Sequence, residues 1–182
     1  MFELNDFSNF VGGWSYAGES LYIACKEIDA IDKPFISVLE FGCGDSTVKL
    51  YETLTKRLSG SHIYYDCYEN DPGFAIVHPN ILCTLYHKDN IDSVTLPSKK
   101  YDFVLIDGPH GVDRMKWYKK INHVIKEGTV ILIDDWNHYL EFENSLVNDI
   151  GCSWKYDIIH IGDSPKKSYK IVKIVSTIKE AI

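Results

Sequence analysis

The sequence predicts an α/β fold: a doubly wound, mostly parallel sheet of seven strands ending in an antiparallel C-terminal hairpin. Three observations carry that expectation. β-prone runs alternate with amphipathic runs of helical spacing along most of the chain. Val104-Leu105-Ile106 and Val130-Ile131-Leu132-Ile133 are apolar without alternation, as in parallel strands covered by helices on both faces. The last forty residues carry two strand-like runs with no helix between them, so the final strand returns antiparallel. With 182 residues and no repeat, low-complexity tract or linker, residues 1–182 read as one domain.

Gly18 to Ile31 has the pattern of an amphipathic helix with Leu21, Ile23, Ala24, Ile28 and Ile31 on its buried side. Residues 1–35 then form an N-terminal cap before a core of residues 36–176. Ile36 to Phe41 is the first strand, ending on a Gly-x-Gly turn. Ser46 to Leu58 follows as a helix, its apolar residues being Val48, Leu50, Tyr51, Leu54 and Leu58. Ile63 to Tyr68 makes the second strand, Asp71-Pro72 opens a short helix or turn, and Asn80 to Leu85 makes the third. His87 to Lys100 is too short for a full helix. Tyr101 to Ile106 is the fourth strand, Val112 to Ile125 a helix stopped by Gly128, and Thr129 to Ile133 the fifth strand. A helix over His138–Ile150 precedes the strands Ser153–Ile161 and Ser168–Val175.

Composition narrows the function classes. Apolar residues at 45% and charged residues at 25% are globular values that exclude a disordered or fibrous chain. A net charge of −7 disfavours nucleic acid or an anionic membrane as a partner held by overall charge. No run reaches the ~18–20 apolar residues of a membrane span, and Met1 to Asp6 lacks the basic start of a signal peptide, so a cytoplasmic protein is expected. Cys25, Cys43, Cys67, Cys83 and Cys152 include no C-x-x-C pair and read as reduced cysteines filling the core.

Ligands of open α/β sheets bind outside the carboxyl ends of the strands, and the residues there are informative. After the first strand comes Glu40-Phe41-Gly42-Cys43-Gly44-Asp45-Ser46-Thr47, whose glycines permit a tight turn while Ser46 or Thr47 can cap the next helix. After the second comes Glu69-Asn70-Asp71, after the fourth Asp107-Gly108-Pro109-His110-Gly111, and after the fifth Asp134-Asp135-Trp136-Asn137. Glu69 follows Gly44 at close to the ~20-residue spacing at which a strand-end carboxylate takes ribose hydroxyls. Glu40 would repel a pyrophosphate but accept hydrogen bonds from a cationic amino group. A ligand containing both a nucleoside and a positive charge is therefore expected. Taken singly, each glycine serves equally as a turn residue and each aspartate as a helix cap.

Val38-Leu39-Glu40-Phe41-Gly42-Cys43-Gly44 resembles the first motif of the class I S-adenosylmethionine-dependent methyltransferases. The resemblance, over about residues 36–176, implies their Rossmann-like seven-stranded sheet and S-adenosylmethionine as cofactor. It implies a cofactor site of Glu40, Gly42, Gly44, Ser46, Glu69, Asn70 and Asp107. Asp89, after the third strand, is a further candidate for the adenine amino group, and Ser15 with Trp14 for the methionine end. Trp14 beside Gly12-Gly13 serves equally as a packing anchor.

The segments Tyr101–His110 and Gly128–Trp136 are similar to those of O-methyltransferases of the catechol and macrolide-sugar types. That likeness implies O-methylation of a small hydroxylated molecule and a Mg²⁺ held by Asp107, Asp134 and Asp135. Without a cation those carboxylates must be relieved by protonation or wider separation. His110 falls where the catechol-type enzymes place a lysine base, and a histidine of ordinary pKa ~6.5 can take a hydroxyl proton at neutral pH. Asp107 and His110 are thus the catalytic candidates. Arg114 can bind an acidic group of the acceptor or pair with a nearby carboxylate, the pairing being the expected role. The chain has fewer residues before its first strand than the catechol-type enzymes, so acceptor selection falls to Met1–Ser20, to a homodimer partner or to an open pocket. The alternatives are an inactive nucleoside-binding module of the same fold and a nucleotide- or sugar-modifying α/β enzyme.

Overall fold

The structure is a computed structural model and describes residues 1–10, 16–29, 33–138, 141–163 and 167–178. Seven strands form one sheet: β1 (Phe35–Phe41), β2 (His62–Glu69), β3 (Ile81–Leu85), β4 (Phe103–Ile106), β5 (Val130–Asp134), β6 (Trp154–Asp163) and β7 (Ser168–Thr177). Their order is β3-β2-β1-β4-β5-β7-β6. β1 to β5 are parallel, whereas β7 runs antiparallel between β5 and β6. The expected fold class is observed.

Side-chain alternation in the central strands builds two cores. Val38, Phe103, Leu105, Val130 and Leu132 face helices α1 (Gly18–Asp29) and α2 (Asp45–Arg57), meeting Leu21, Ala24, Ile28, Leu50 and Leu54. Leu39, Val104, Ile106, Ile131 and Ile133 face the other way, onto α3 (Lys116–Ile121) and α4 (Glu141–Ser145), meeting Trp117, Tyr118, Ile121, Phe142 and Leu146. Both faces of β4 and β5 are therefore buried, which is why those strands read as continuous apolar runs.

Two expected helices are shorter than their apolar periodicity. Val112 to Ile125 divides into a 3₁₀ turn, Val112–Met115, and the short α3. Beyond Ile121 the chain is diverted to serve β4: Val124 accepts from the Tyr101 amide at 2.9 Å, and Lys100 caps the carbonyls of His123 and Ile125. The region expected as helix His138–Ile150 contains a 3₁₀ turn at Trp136–His138, α4, and a π turn at Leu146–Ile150 closed by the Gly151 amide on Leu146. The end of the first helix, residues 30–31, lies outside the described residues. Between β3 and β4 stands a 3₁₀ segment, Lys88–Ser93, instead of a full helix, as the short spacing requires.

Strand order reverses between β1 and β4, since β1 leads outward to β2 and β4 to β5. Their carboxyl ends flank the crevice where an open α/β sheet binds its ligand.

Candidate functional site

At that crevice Gly42 and Gly108 pack backbone to backbone. Gly42 has φ +90°, and a Cβ on it would lie 2.5 Å from the Gly108 nitrogen; one on Gly108 would lie 2.6 Å from the Gly42 Cα. The turns after β1 and β4 are locked by this contact and by the amides of Asp107 and Gly108, both donating to the Phe41 carbonyl. Gly42 is thus explained by a neighbouring turn. Gly44 differs: a Cβ there would meet nothing closer than Phe74 at 4.0 Å, so its backbone faces open space at the start of α2. Thr47, not Ser46, makes the capping contact, its Oγ1 accepting from the Gly44 amide at 3.1 Å.

Glu40 is wholly buried, under the turn. Its Oε2 accepts from the Tyr65 hydroxyl at 2.7 Å, and Oε1 has no hydrogen-bond partner among the described residues. Burial pushes its carboxyl up to about 8; the hydrogen bond from Tyr65 opposes the shift and the charge of Asp107 adds to it. Glu40 is accordingly a neutral, protonated acid near neutral pH.

Glu69 is the last residue of β2 and is nearly buried. Oε2 accepts from the Cys43 amide at 2.7 Å, while Oε1 accepts from the amides of Asn70 and Asp71, each at 2.7 Å. One carboxylate thus ties the Gly-x-Gly turn to the end of β2. Of its roughly four acceptor directions, three are filled by these amides. Asn70 joins this turn through its main chain.

Beyond β4 and β5, Asp107, Asp134 and Asp135 converge, with one oxygen of each lying within 4.8 Å of the others. Arg114 and Lys167 run among them. Arg114, almost fully buried, donates to the carbonyls of Pro109 and Asp134 at 3.2 and 3.0 Å and lies 3.6 Å from Asp107 and 3.5 Å from Asp135. The Lys167 ammonium is paired with Asp134 and lies 3.4 Å from Asp135. Burial raises the carboxyls of Asp134 and Asp107; at Asp134 the charge of Asp107 adds to that shift, while Lys167 offsets part of it at both. For Lys167, burial lowers the ammonium, and the three aspartates more than reverse it.

The remaining candidates are dispersed. His110 is exposed, immediately after Pro109. Asp89 is exposed after β3, its carboxylate 3.4 Å from the His87 ring. Ser15 lies outside the described residues. Sequence reasoning missed Tyr65 and Lys167. The signal for Lys167 was the hairpin itself: antiparallel pairing sets Asp134 opposite Tyr169, which brings the residues just before β7 to the end of β5.

No family model and no curated protein matches the chain. Solved structures do. A TehB-like SAM-dependent methyltransferase from Corynebacterium glutamicum superposes with TM-score 0.55 at 12% identity, over 85% of this chain and 88% of that one. A ribosomal RNA methyltransferase from Plasmodium falciparum gives 0.53 at 14%, over 85% and 97%. The plantazolicin methyltransferase BpumL, solved with SAH, gives 0.54 at 13%, over 86% and 82%. At these identities the likeness is one of architecture: the chain has the Rossmann-like fold seen in S-adenosylmethionine-dependent methyltransferases.

Proposed function

We propose that this protein is an S-adenosylmethionine-dependent methyltransferase that modifies a hydroxyl of a small acceptor. The observation that carries the reading is the union of Glu69 with the Gly42-Cys43-Gly44 turn at the point where strand order reverses. The residues fit the cofactor: Gly44 leaves open space for close approach, the fourth acceptor direction of Glu69 suits a ribose hydroxyl, and Glu40 has an unsatisfied oxygen beneath the turn. When bound, the cofactor supplies a methyl group activated by a sulfonium centre.

In this reading the chain's own residues position and exclude water more than they react. Glu69 orients the sugar while holding the turn. Glu40 meets the positive charge of the amino-acid end and gives up its proton as it does so. Asp107, fixed by its amide on Phe41 and by Arg114, borders the acceptor, and His110 takes the acceptor's hydroxyl proton.

The three aspartates do not fit Mg²⁺ as arranged. The Lys167 ammonium already sits on Asp134 and close to Asp135, Arg114 reaches Asp107 and Asp135, and a dication would have to displace both. No step is therefore assigned to a metal there. The same neutralisation favours a second reading, a fold that holds the cofactor without transferring from it, because it leaves His110 as the only proton acceptor proposed.

Titration calorimetry with S-adenosylhomocysteine tests the assignment, with Glu69→Gln as the variant that keeps a hydrogen-bonding side chain. Saturable 1:1 binding, weakened at least tenfold in the variant, is expected; undiminished binding in the variant would refute the site. Methyl transfer to phenol or sugar hydroxyls separates the two readings.

A further inference from the structure

Three of the five cysteines meet beside the cofactor turn. Parallel pairing of β2 with β3 sets Cys67 directly opposite Cys83, and register neighbours share one face of a sheet at ~4.8 Å spacing. Cys43, carried by the turn after β1, comes over the same face. Its Sγ lies 3.9 Å from that of Cys83, and all three sulfurs lie within 4.8 Å of one another. Cys67 is fully buried and Cys43 nearly so, whereas Cys83 is half-buried and opens the group towards solvent.

We propose that Cys43, Cys67 and Cys83 form a three-thiolate site for a soft divalent d¹⁰ cation of the zinc–cadmium class. Two thiolates bound at ~2.3 Å in tetrahedral zinc geometry lie ~3.8 Å apart, close to the 3.9 Å between the Cys43 and Cys83 sulfurs. The donor set is purely sulfur, and soft thiolates select such ions over Mg²⁺ or Ca²⁺. Loading is balanced by proton loss: M²⁺ and three thiols give one M(SR)₃⁻ unit and three protons. The buried group keeps a single negative charge and a fourth coordination position for water.

Three thiols must lose their protons on loading, so affinity climbs with pH. Because the Cys43 amide also holds Glu69, an ion here fixes the turn from its other side. The site does not depend on the cofactor assignment.

The test is a Cd²⁺ titration of the reduced whole protein, followed by thiolate-to-metal charge-transfer absorption and by Tm. The expected result is a band saturating at one equivalent per chain with a rise in Tm. Cys83→Ser, chosen because the half-buried position tolerates a hydroxyl, should weaken binding at least tenfold; Cys43→Ser should do the same. Cys152→Ser, exposed and remote, should leave it unchanged. A band that fails to saturate near one equivalent, survives both Cys43→Ser and Cys83→Ser, or disappears with Cys152→Ser would overturn the proposal.

Discussion

Replacing Glu40 by glutamine tests whether a protonated acid lies under the Gly42-Cys43-Gly44 turn. The folded carboxyl titrates at about 8 against an ordinary 4.5, because it is wholly buried. Between those values the folded protein keeps a proton that the unfolded chain has released. By linkage the stabilisation is fully present below about pH 4.5 and is lost as pH rises through 8, at about 1.4 kcal/mol per unit. Allowing for partial ionisation at each end, native stability should fall relative to the variant by ~3.5 kcal/mol between pH 5 and pH 8. Glutamine copies the shape of the neutral acid and can still accept from Tyr65, so it removes the titration and leaves the packing. Urea unfolding of both proteins at pH 5, 6, 7 and 8 reads the effect directly. Native and variant curves that stay parallel across that range would show that Glu40 is ionised in the fold, and the account of the turn would be wrong.

Further substitutions probe the rest of the crevice. Gly108→Ala puts a methyl 2.6 Å from the Gly42 Cα and should cost about 1–3 kcal/mol, seen as a lowered Tm; an unchanged Tm would deny the backbone contact. Lys167→Met strands Asp134 without its cation and should cost about 3–5 kcal/mol, most of it recovered by adding Asp134→Asn; a double variant no better than the single would sink the pairing. Although burial pushes it up, Asp102 is held below 3.8 by Lys126, the Ser37 amide and Lys33, so its stabilisation is present above that value and lost as pH falls through the folded pKa. Asp102→Asn should therefore lower stability at pH 7 by ~1.5–3 kcal/mol and much less at pH 3, by denaturant titration. Binding of S-adenosylhomocysteine at pH 7 should release a proton from Glu40, measurable as a buffer-dependent calorimetric enthalpy that Glu40→Gln abolishes.

The sheet was legible because its signals are local. Strands buried on both faces must be apolar throughout, whereas Gly128, at φ +84°, makes the turn into β5 and does not stop the helix, which already ends at Ile121. Helix lengths were less legible. Val112 to Ile125 keeps its periodicity because Trp117, Tyr118, Ile121, Val124 and Ile125 all enter one core, yet the carbonyl of Val124 is taken by the Tyr101 amide in the segment leading into β4. Within the site, strand-end carboxylates could be found by position, but their partners could not. Lys167 reaches Asp134 only through the β5–β7 register, and Tyr65 reaches Glu40 across β1–β2. Lys167 and Arg114 turn a presumed Mg²⁺ ligand set into an aspartate–lysine–arginine network, while burial, working against the Tyr65 hydrogen bond, makes Glu40 a neutral acid.

The central claim, that the β1–β4 crevice holds the methyl-donor cofactor, is tested most directly by a crystal structure of the protein with S-adenosylhomocysteine. The account predicts ribose hydroxyls on Glu69, the ligand against Gly44, and its amino group above Glu40. A nucleoside bound elsewhere on the sheet, or a crevice left closed at saturating ligand, would contradict it.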